Sequence, residues 1–470
     1  MKLNIGWGIS DITPYGQAVS LAGLGNMRVT RDIRDKICAT ALVIQGEETI
    51  ILVSCDLGNI PSHIVDSVRT KLADIVGINP QNIIINAIHT HTSPYTESHW
   101  PFQLLWGELF GISDKFTDDI LSPEAFSEMF INGIVEAIKN AWENRAPGGV
   151  SFELAYAGIA SSRRTAYRDG DTNMYGSTEK DDFDGMEEAS DPGIELMYTY
   201  DESKKLTGVV ANIACPAQTL ELTKSVSADY VGEARKILDK KYDIYLLTQI
   251  APAGDQSPRD LVRSKWRKNG NYFPRDAHDD LHVKMLGERF ASAIESRMPA
   301  ASEDIEWSPC IKAKWAAIEV PILTVEKKEY DKAEIIVRAL EELYHAKGNT
   351  FEKQEIIIYR ENFGIVKRYE MQQQSNKLPI EVVAFRIGDS AFICCPFELY
   401  TIYGMRIKGM SPSSQTFCVQ LANGRYGYLP SRRAAYGGSY GAQPYSCLVG
   451  PEGGDELVKE STAIINELFI

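Results

Sequence analysis

The apolar residues of this chain come in two rhythms. Unbroken runs such as ALVIQGEETIILVSCDL, NIIINAI, GVVANI, IYLLTQI and VVAFRIGDSAFICC alternate with stretches whose apolar positions recur every three or four residues. The first rhythm predicts strands covered on both faces; the second predicts amphipathic helices. Residues 41–45 and 49–55 read as two strands across a Gly-containing polar turn, and residues 380–396 as a second strand pair. Ser122 to Arg145 reads as a helix, because Ser122 can cap it, Pro123 suits its first turn, and Phe126, Phe130, Ile134, Ile138 and Trp142 recur every four residues. Further helices are expected up to Gly77, over 231–240 and over 279–298, while residues 325–378 read as a charged, mostly helical insertion. With no repeat or low-complexity linker, the pattern predicts one α/β domain over 1–470, with layered mixed β-sheets flanked by helices and an active site at strand ends.

Composition narrows the function more than the fold. The formal charge is −15, from 49 Lys and Arg against 64 Asp and Glu, and no basic block occurs. Nucleic acid and anionic membrane surfaces both demand clustered cations, so neither is expected as the main partner. A small molecule is, and a homo-oligomer is compatible with the composition. The opening MKLNIGWGISDITP has no apolar leader, and no apolar run long enough to span a membrane follows. The eight cysteines are scattered without CxxC pairs, several inside apolar runs, which reads as free buried thiols. The expected location is therefore cytoplasmic, although a chain relieved of its leader would read the same.

The chemistry begins at NIIINAIHTHTSP, where a chain with seven histidines places two of them one residue apart. In an extended strand, residues i and i+2 share a face, so His89 and His91 are expected to project together where strand meets loop. Neutral imidazole is a preferred ligand for zinc, and the competing reading is a pair satisfied by backbone carbonyls. Other strand ends also carry polar groups. Asp255 and Ser257 follow IYLLTQI, Glu398 follows SAFICC, tyrosines follow TFCVQLA, and Cys215 and Gln218 follow GVVANI.

These segments together resemble the neutral, non-lysosomal ceramidases. NIIINAIHTHTSP is similar to that family's ATHTHSGP element, GWGISDITP to its GxGxxDIT segment and GDQSP to its GDVSP turn. PFELYTIYGMRI is similar to PGEFTTxxGRRL, and NGRYGYLPSRRAAY to NxYxxYxTTxEEY, all in the same order. The resemblance implies a zinc-dependent amidase whose metal ligands are two His, one Glu and one Tyr. Matching positions are His89, Glu398 and Tyr428. His91 matches the neighbouring histidine that faces the reacting group, Ser257 a serine beside the scissile bond, and Arg163 an arginine lining the site. The family's second ligand histidine has no counterpart, since the equivalent stretch reads NIACPAQTLEL. Cys215, Gln218 or Glu221 would have to replace it, or His89 and His91 together hold the metal with Glu398 and Tyr428. The family's C-terminal β-sandwich domain is also not expected here.

The expected activity is hydrolysis of an N-acyl amide by a zinc-activated water, with His91, Ser257 and Asp255 as catalytic groups and Arg163 and Gln218 on the substrate. The aromatics of Tyr95 to Ser122, including Trp100, Phe102, Trp106 and Phe110, read as a lid for an apolar or sugar-bearing substrate, or as a helix packed on the core. The small-molecule substrate is expected to be lipid- or carbohydrate-derived; the polar segment 165–185 reads as the opposite rim and, ill suited to a lipid chain, favours a polar or carbohydrate-derived molecule over ceramide itself. Two other readings stand beside this one. One is an enzyme of the same fold acting on an ester, lactone or glycosidic bond with Asp255 and Glu398 as acid and base; the other is a binding protein that has lost its metal.

Overall fold

The computed structural model describes residues 2–24, 28–75, 77–96, 119–262, 280–348 and 350–470. The aromatic lid segment of the sequence analysis lies for the most part, at 97–118, outside them. Eight strands form one mixed sheet. They are β1 (Leu3–Asp11), β2 (Cys38–Gln45), β3 (Thr49–Cys55), β4 (Ile83–Ala87), β5 (Ala146–Tyr156), β6 (Gly193–Asp201), β7 (Leu206–Ile213) and β8 (Tyr245–Ile250), in the order β8-β7-β6-β5-β1-β2-β3-β4. A second sheet holds β9 (Ile311–Pro321), β10 (Lys377–Ile387), β11 (Ser390–Cys394) and β12 (Gln415–Val419) in sequential order.

The unbroken apolar runs follow from what covers each face. On β2, Ala39, Ala41 and Val43 pack beneath helices, together with Ile64 of α1 (Ser62–Leu72) and Phe126, Phe130 and Ile134 of α2 (Pro123–Glu143). Leu42 and Ile44 point the other way, onto Phe385, Phe392 and Phe417 of the second sheet. Those three rings stack with centroids 4.4 and 4.1 Å apart. Helices α3 (Asp229–Tyr242) and α4 (Asp280–Ala301) complete the first outer layer. The charged segment forms two helices, α5 (Lys327–Ala346) and α6 (Lys353–Gln374), packed on each other around Tyr359 and Phe363. The outer face of the second sheet is covered by α7 (Thr401–Met410) and α8 (Pro451–Leu468). The result is four layers, helix–sheet–sheet–helix. Ser122 caps α2 as expected, its side chain accepting from the Ala125 N–H at 3.1 Å. Among the described residues no helix is long and apolar enough to cross a membrane.

Two features position the site. Three neighbouring strand pairs are parallel: β3 with β4, β7 with β8, and β11 with β12. Helices α1, α3 and α7 lie between the partners in the chain, so loops leaving the carboxyl ends of these strands carry the polar residues noted in the sequence. The large sheet also curls until its two edge strands meet. Ser54 Oγ and Asn86 Nδ2 both donate to the Thr248 carbonyl, at 2.6 and 3.1 Å. The chain leaving β12 runs along this seam. Gln420 N donates to Ile250 O at 2.9 Å, Ala87 N to Leu421 O at 3.4 Å, and Asn423 N to Ile85 O at 2.9 Å. Asn423, a residue tolerant of the left-handed region, sits there at φ 55° and accepts the Ile85 N–H on its side chain at 2.9 Å.

Candidate functional site

Strand β4 ends at Ala87, so strand pleating is not what aligns the two histidines. His89 instead takes a left-handed backbone at φ 59°, a conformation that costs a residue with a Cβ about 1–2 kcal/mol. Its ring is anchored by Nδ1–H donating to the Gly58 carbonyl, just beyond β3, at 2.6 Å. His91 is fixed along its backbone as well. Its N–H donates to Ala217 O at 3.2 Å and its carbonyl accepts from Arg28 Nη2 at 2.6 Å. On the ring, Nδ1–H donates to Glu221 Oε2 at 3.0 Å, and Arg259 pairs with the other oxygen of that carboxylate. Gly23, at φ 94°, approaches so closely that a Cβ there would lie 2.3 Å from His91 Cγ, so only glycine fits.

Because each Nδ1 carries the hydrogen, each Nε2 keeps a lone pair. The two Nε2 atoms face one another at 3.4 Å, with ring planes 79° apart. Glu398 Oε2 lies 3.5 Å from His89 Nε2. Glu398 and Tyr428 stand opposite each other in a short parallel pairing of Glu398–Leu399 with Tyr428–Leu429, and the Tyr428 hydroxyl donates to the Glu398 carboxylate. Two imidazole nitrogens, a carboxylate oxygen and a phenol therefore meet in one buried place. By His, Cys, Asp and Glu side chains alone, no group of three or more among the described residues forms a ready cation cage. The donors here form an open row, and the phenol extends it.

Burial dominates the electrostatics. It pushes the His89 imidazole down to about 4 and that of His91 to about 3, so both rings are neutral near pH 7. Burial alone would raise the Glu398 carboxyl, but His89, Arg425, the Tyr428 hydroxyl and Arg163 hold it below its ordinary value. A pH dependence follows for the metal-free chain. An unfolded imidazole takes its proton near pH 6.5 and the folded ones refuse it until about 4 and 3, so this contribution to stability is complete above about pH 6.5 and is lost progressively below it. With chelator present, the urea midpoint is expected to fall between pH 7 and pH 5 by more than it does in a His89→Gln variant; equal declines would show that His89 is not held neutral.

The other sequence-predicted residues divide. Arg163 joins the cluster, Nη2 donating to Tyr428 Oη at 3.2 Å and to Gly254 O at 2.8 Å. Its Nη1 donates to Tyr175 Oη at 3.2 Å, and Gln218 Nε2 donates to the same oxygen at 2.9 Å. Ser257 lies next along, its Oγ 3.4 Å from Tyr175 Oη. Asp255, whose carboxyl burial raises, reaches the start of α7. Its Oδ1 accepts from both the backbone N–H and the hydroxyl of Thr401, at 2.9 and 2.7 Å, so its carboxylate holds the start of α7 in place. Cys215 is fully buried, with Sγ against the carbonyls of Ile159 and Pro216, and burial raises its thiol. Glu221 supports His91 from behind. Of the three candidates for the missing ligand, Cys215 thus contacts two carbonyls, Gln218 bonds Tyr175 and Glu221 bonds His91. Tyr175 was missed by the sequence reasoning; its only signal is an aromatic inside the polar turn DTNMYGST, where it adopts φ 57°.

Residues 3–249, more than half of the 470, match the family described as neutral/alkaline non-lysosomal ceramidase, N-terminal. Among solved structures, the fold is similar to that of a neutral ceramidase from Pseudomonas aeruginosa, with a TM-score of 0.70 and 17% identity over 99% of this chain and 74% of that one. It is also similar to a ceramidase complexed with C2, with a TM-score of 0.67 and 16% identity over 99% of this chain and 76% of that one. No curated protein matches the sequence. The chain belongs to the neutral/alkaline non-lysosomal ceramidase family, and it is accordingly a hydrolase acting on amide bonds.

Proposed function

We propose that this enzyme cleaves an N-acyl amide with the help of a divalent cation, zinc by the chemistry of the donors, held by His89, His91, Glu398 and Tyr428. The observation that carries the reading is the row of electron-rich atoms at 3.4 and 3.5 Å with neutral imidazoles at its centre. Such atoms repel one another unless a positive charge lies among them. Two ligand atoms on one tetrahedral zinc, each at 2.0–2.1 Å, would stand about 3.3–3.4 Å apart, which the observed spacings match. Imidazole with carboxylate and phenol suits zinc, and enzymes of this family are generally metal-dependent.

When bound, the cation supplies Lewis acidity toward the scissile carbonyl and lowers the pKa of water. The chain's own residues do the rest. Gly58 and Glu221 fix both histidine tautomers, the kind of outer support that sets ligand basicity. Arg163 spans from Tyr428 to Tyr175 and so ties the donor row to the segment that would bind substrate. In this reading Ser257, linked to Arg163 through Tyr175, hydrogen-bonds the reacting amide. The segment 165–185, which carries Tyr175, exposes Asp169, Asp171, Asp181 and Asp184, which supports a substrate with a polar or carbohydrate-derived portion.

Elemental analysis with activity assays tests this. After reconstitution, about one equivalent of zinc is expected per chain, and a chelator should abolish hydrolysis of N-acyl amides until zinc is restored. Retention of below about 0.1 equivalent, or activity indifferent to the chelator, would reject the reading.

A further inference from the structure

The hydroxyl of Tyr175 has its hydrogen-bond direction set by its neighbours. Its oxygen accepts from Arg163 Nη1 at 3.2 Å and from Gln218 Nε2 at 2.9 Å. A guanidinium has no acceptor, so the first of these bonds cannot reverse. With two donors on its oxygen, the phenol directs its hydrogen to Ser257 Oγ, 3.4 Å away. That Oγ also accepts the backbone N–H of Arg259 at 3.2 Å. A serine hydroxyl has two acceptor positions and one hydrogen. Both positions are filled here, and its hydrogen is left to donate. A one-way relay thus runs from Arg163 and Gln218 through Tyr175 to Ser257, and Arg163 is the group that also touches Tyr428.

We propose that Tyr175 is a positioning residue that fixes the Ser257 hydroxyl as a hydrogen-bond donor to the scissile carbonyl oxygen, a role that rests on the amide-hydrolase reading above. Ser257 in this arrangement stabilises developing negative charge and is not a nucleophile, because among the described residues its Oγ meets only the Tyr175 hydroxyl and the Arg259 N–H, neither of which takes up its proton. The surroundings strengthen the donor. The guanidiniums of Arg163 and Arg259 lie 5.6 and 4.8 Å from the Tyr175 ring centroid. Burial would raise the phenol, yet these two cations hold it below its ordinary value, and a more acidic phenol donates more strongly. The backbone of Tyr175, at φ 57°, is strained for a residue with a Cβ, as expected where a side chain is held for a task.

The test is a double-mutant cycle on the zinc-reconstituted enzyme, with an N-acyl p-nitroanilide as probe. Tyr175→Phe keeps the ring between the two arginines and removes only the hydroxyl. Its kcat should fall about 10–100-fold with KM little changed, Ser257→Ala should lose about 100-fold, and the double variant should be no slower than Ser257→Ala alone. A Tyr175→Phe variant within about two-fold of wild type, or losses that multiply in the double variant, would overturn the proposal. A second arm needs no turnover. A fluorophosphonate reagent read by intact mass should leave Ser257 unmodified, and an adduct on Ser257 would overturn the donor role outright. A wild-type enzyme inert toward the anilide would sink the amide-hydrolase reading instead, and the labelling arm would still decide the role of Ser257.

Discussion

Replacing His89 with alanine is expected to lower amide hydrolysis by about 10³-fold or more, the scale on which loss of a principal electrostatic stabiliser acts. His89 is the middle of the donor row, the one residue whose Nε2 lies within 3.5 Å of both His91 Nε2 and Glu398 Oε2. Without it, the two remaining partners have no common neighbour, and tight zinc retention should go with activity. Stability should change far less. His89 lies in a loop after the strand, its ring makes one backbone hydrogen bond, and alanine meets the same left-handed backbone at similar cost. A loss of about 1 kcal/mol is expected, in line with one hydrogen bond. Activity within ten-fold of wild type, or a variant that unfolds far more readily, would assign His89 to architecture.

The largest effect on stability is expected at Arg164. Its guanidinium and the Glu187 carboxylate form a fully buried ion pair, Nε donating to Oε2 at 2.6 Å. The remaining groups are all used: Nη1 donates to Tyr440 O at 2.9 Å, Nη2 to Thr172 Oγ1 at 2.5 Å and Gly438 O at 2.8 Å, and Ser431 Oγ donates to Glu187 Oε1 at 2.8 Å. Arg164→Met would leave a buried carboxylate uncompensated and several carbonyls orphaned, a situation that costs about 3–5 kcal/mol. Urea denaturation should show a lowered midpoint with an unchanged slope. A change below about 1 kcal/mol would mean that the pair adds little net stability. Some activity should be lost as well, because Arg164 holds the segment through Tyr440, whose ring meets Tyr428 edge-on at 5.4 Å.

Much of this was legible in the chain. Strands such as 49–55 and the helix capped by Ser122 carry periodicity and end signals that local physics decides. His89, His91, Glu398 and Tyr428 stand out together only through the resemblance of their segments to the ceramidases, because each strand end alone also allows a mundane reading. What was not legible is how they meet. The alignment of the histidines comes from one left-handed residue and two carbonyls, not from strand alternation. The bond from Thr401 to the Asp255 carboxylate, across 146 residues of chain, was not legible either. Tyr175 was hidden because its importance lies in three partners, Arg163, Gln218 and Ser257, from three different segments. The curl of the large sheet depends on Asn86, Ser54 and the backbone after β12, none of which carries a periodic signal.

That seam has a bearing on how the enzyme comes into being. As the polypeptide emerges from the ribosome, both imidazoles appear before residue 100, whereas Glu398 and Tyr428 are synthesised only after residue 397. If these four residues form the proposed centre, it can be complete only once Tyr428, beyond the strip after β12, has been synthesised.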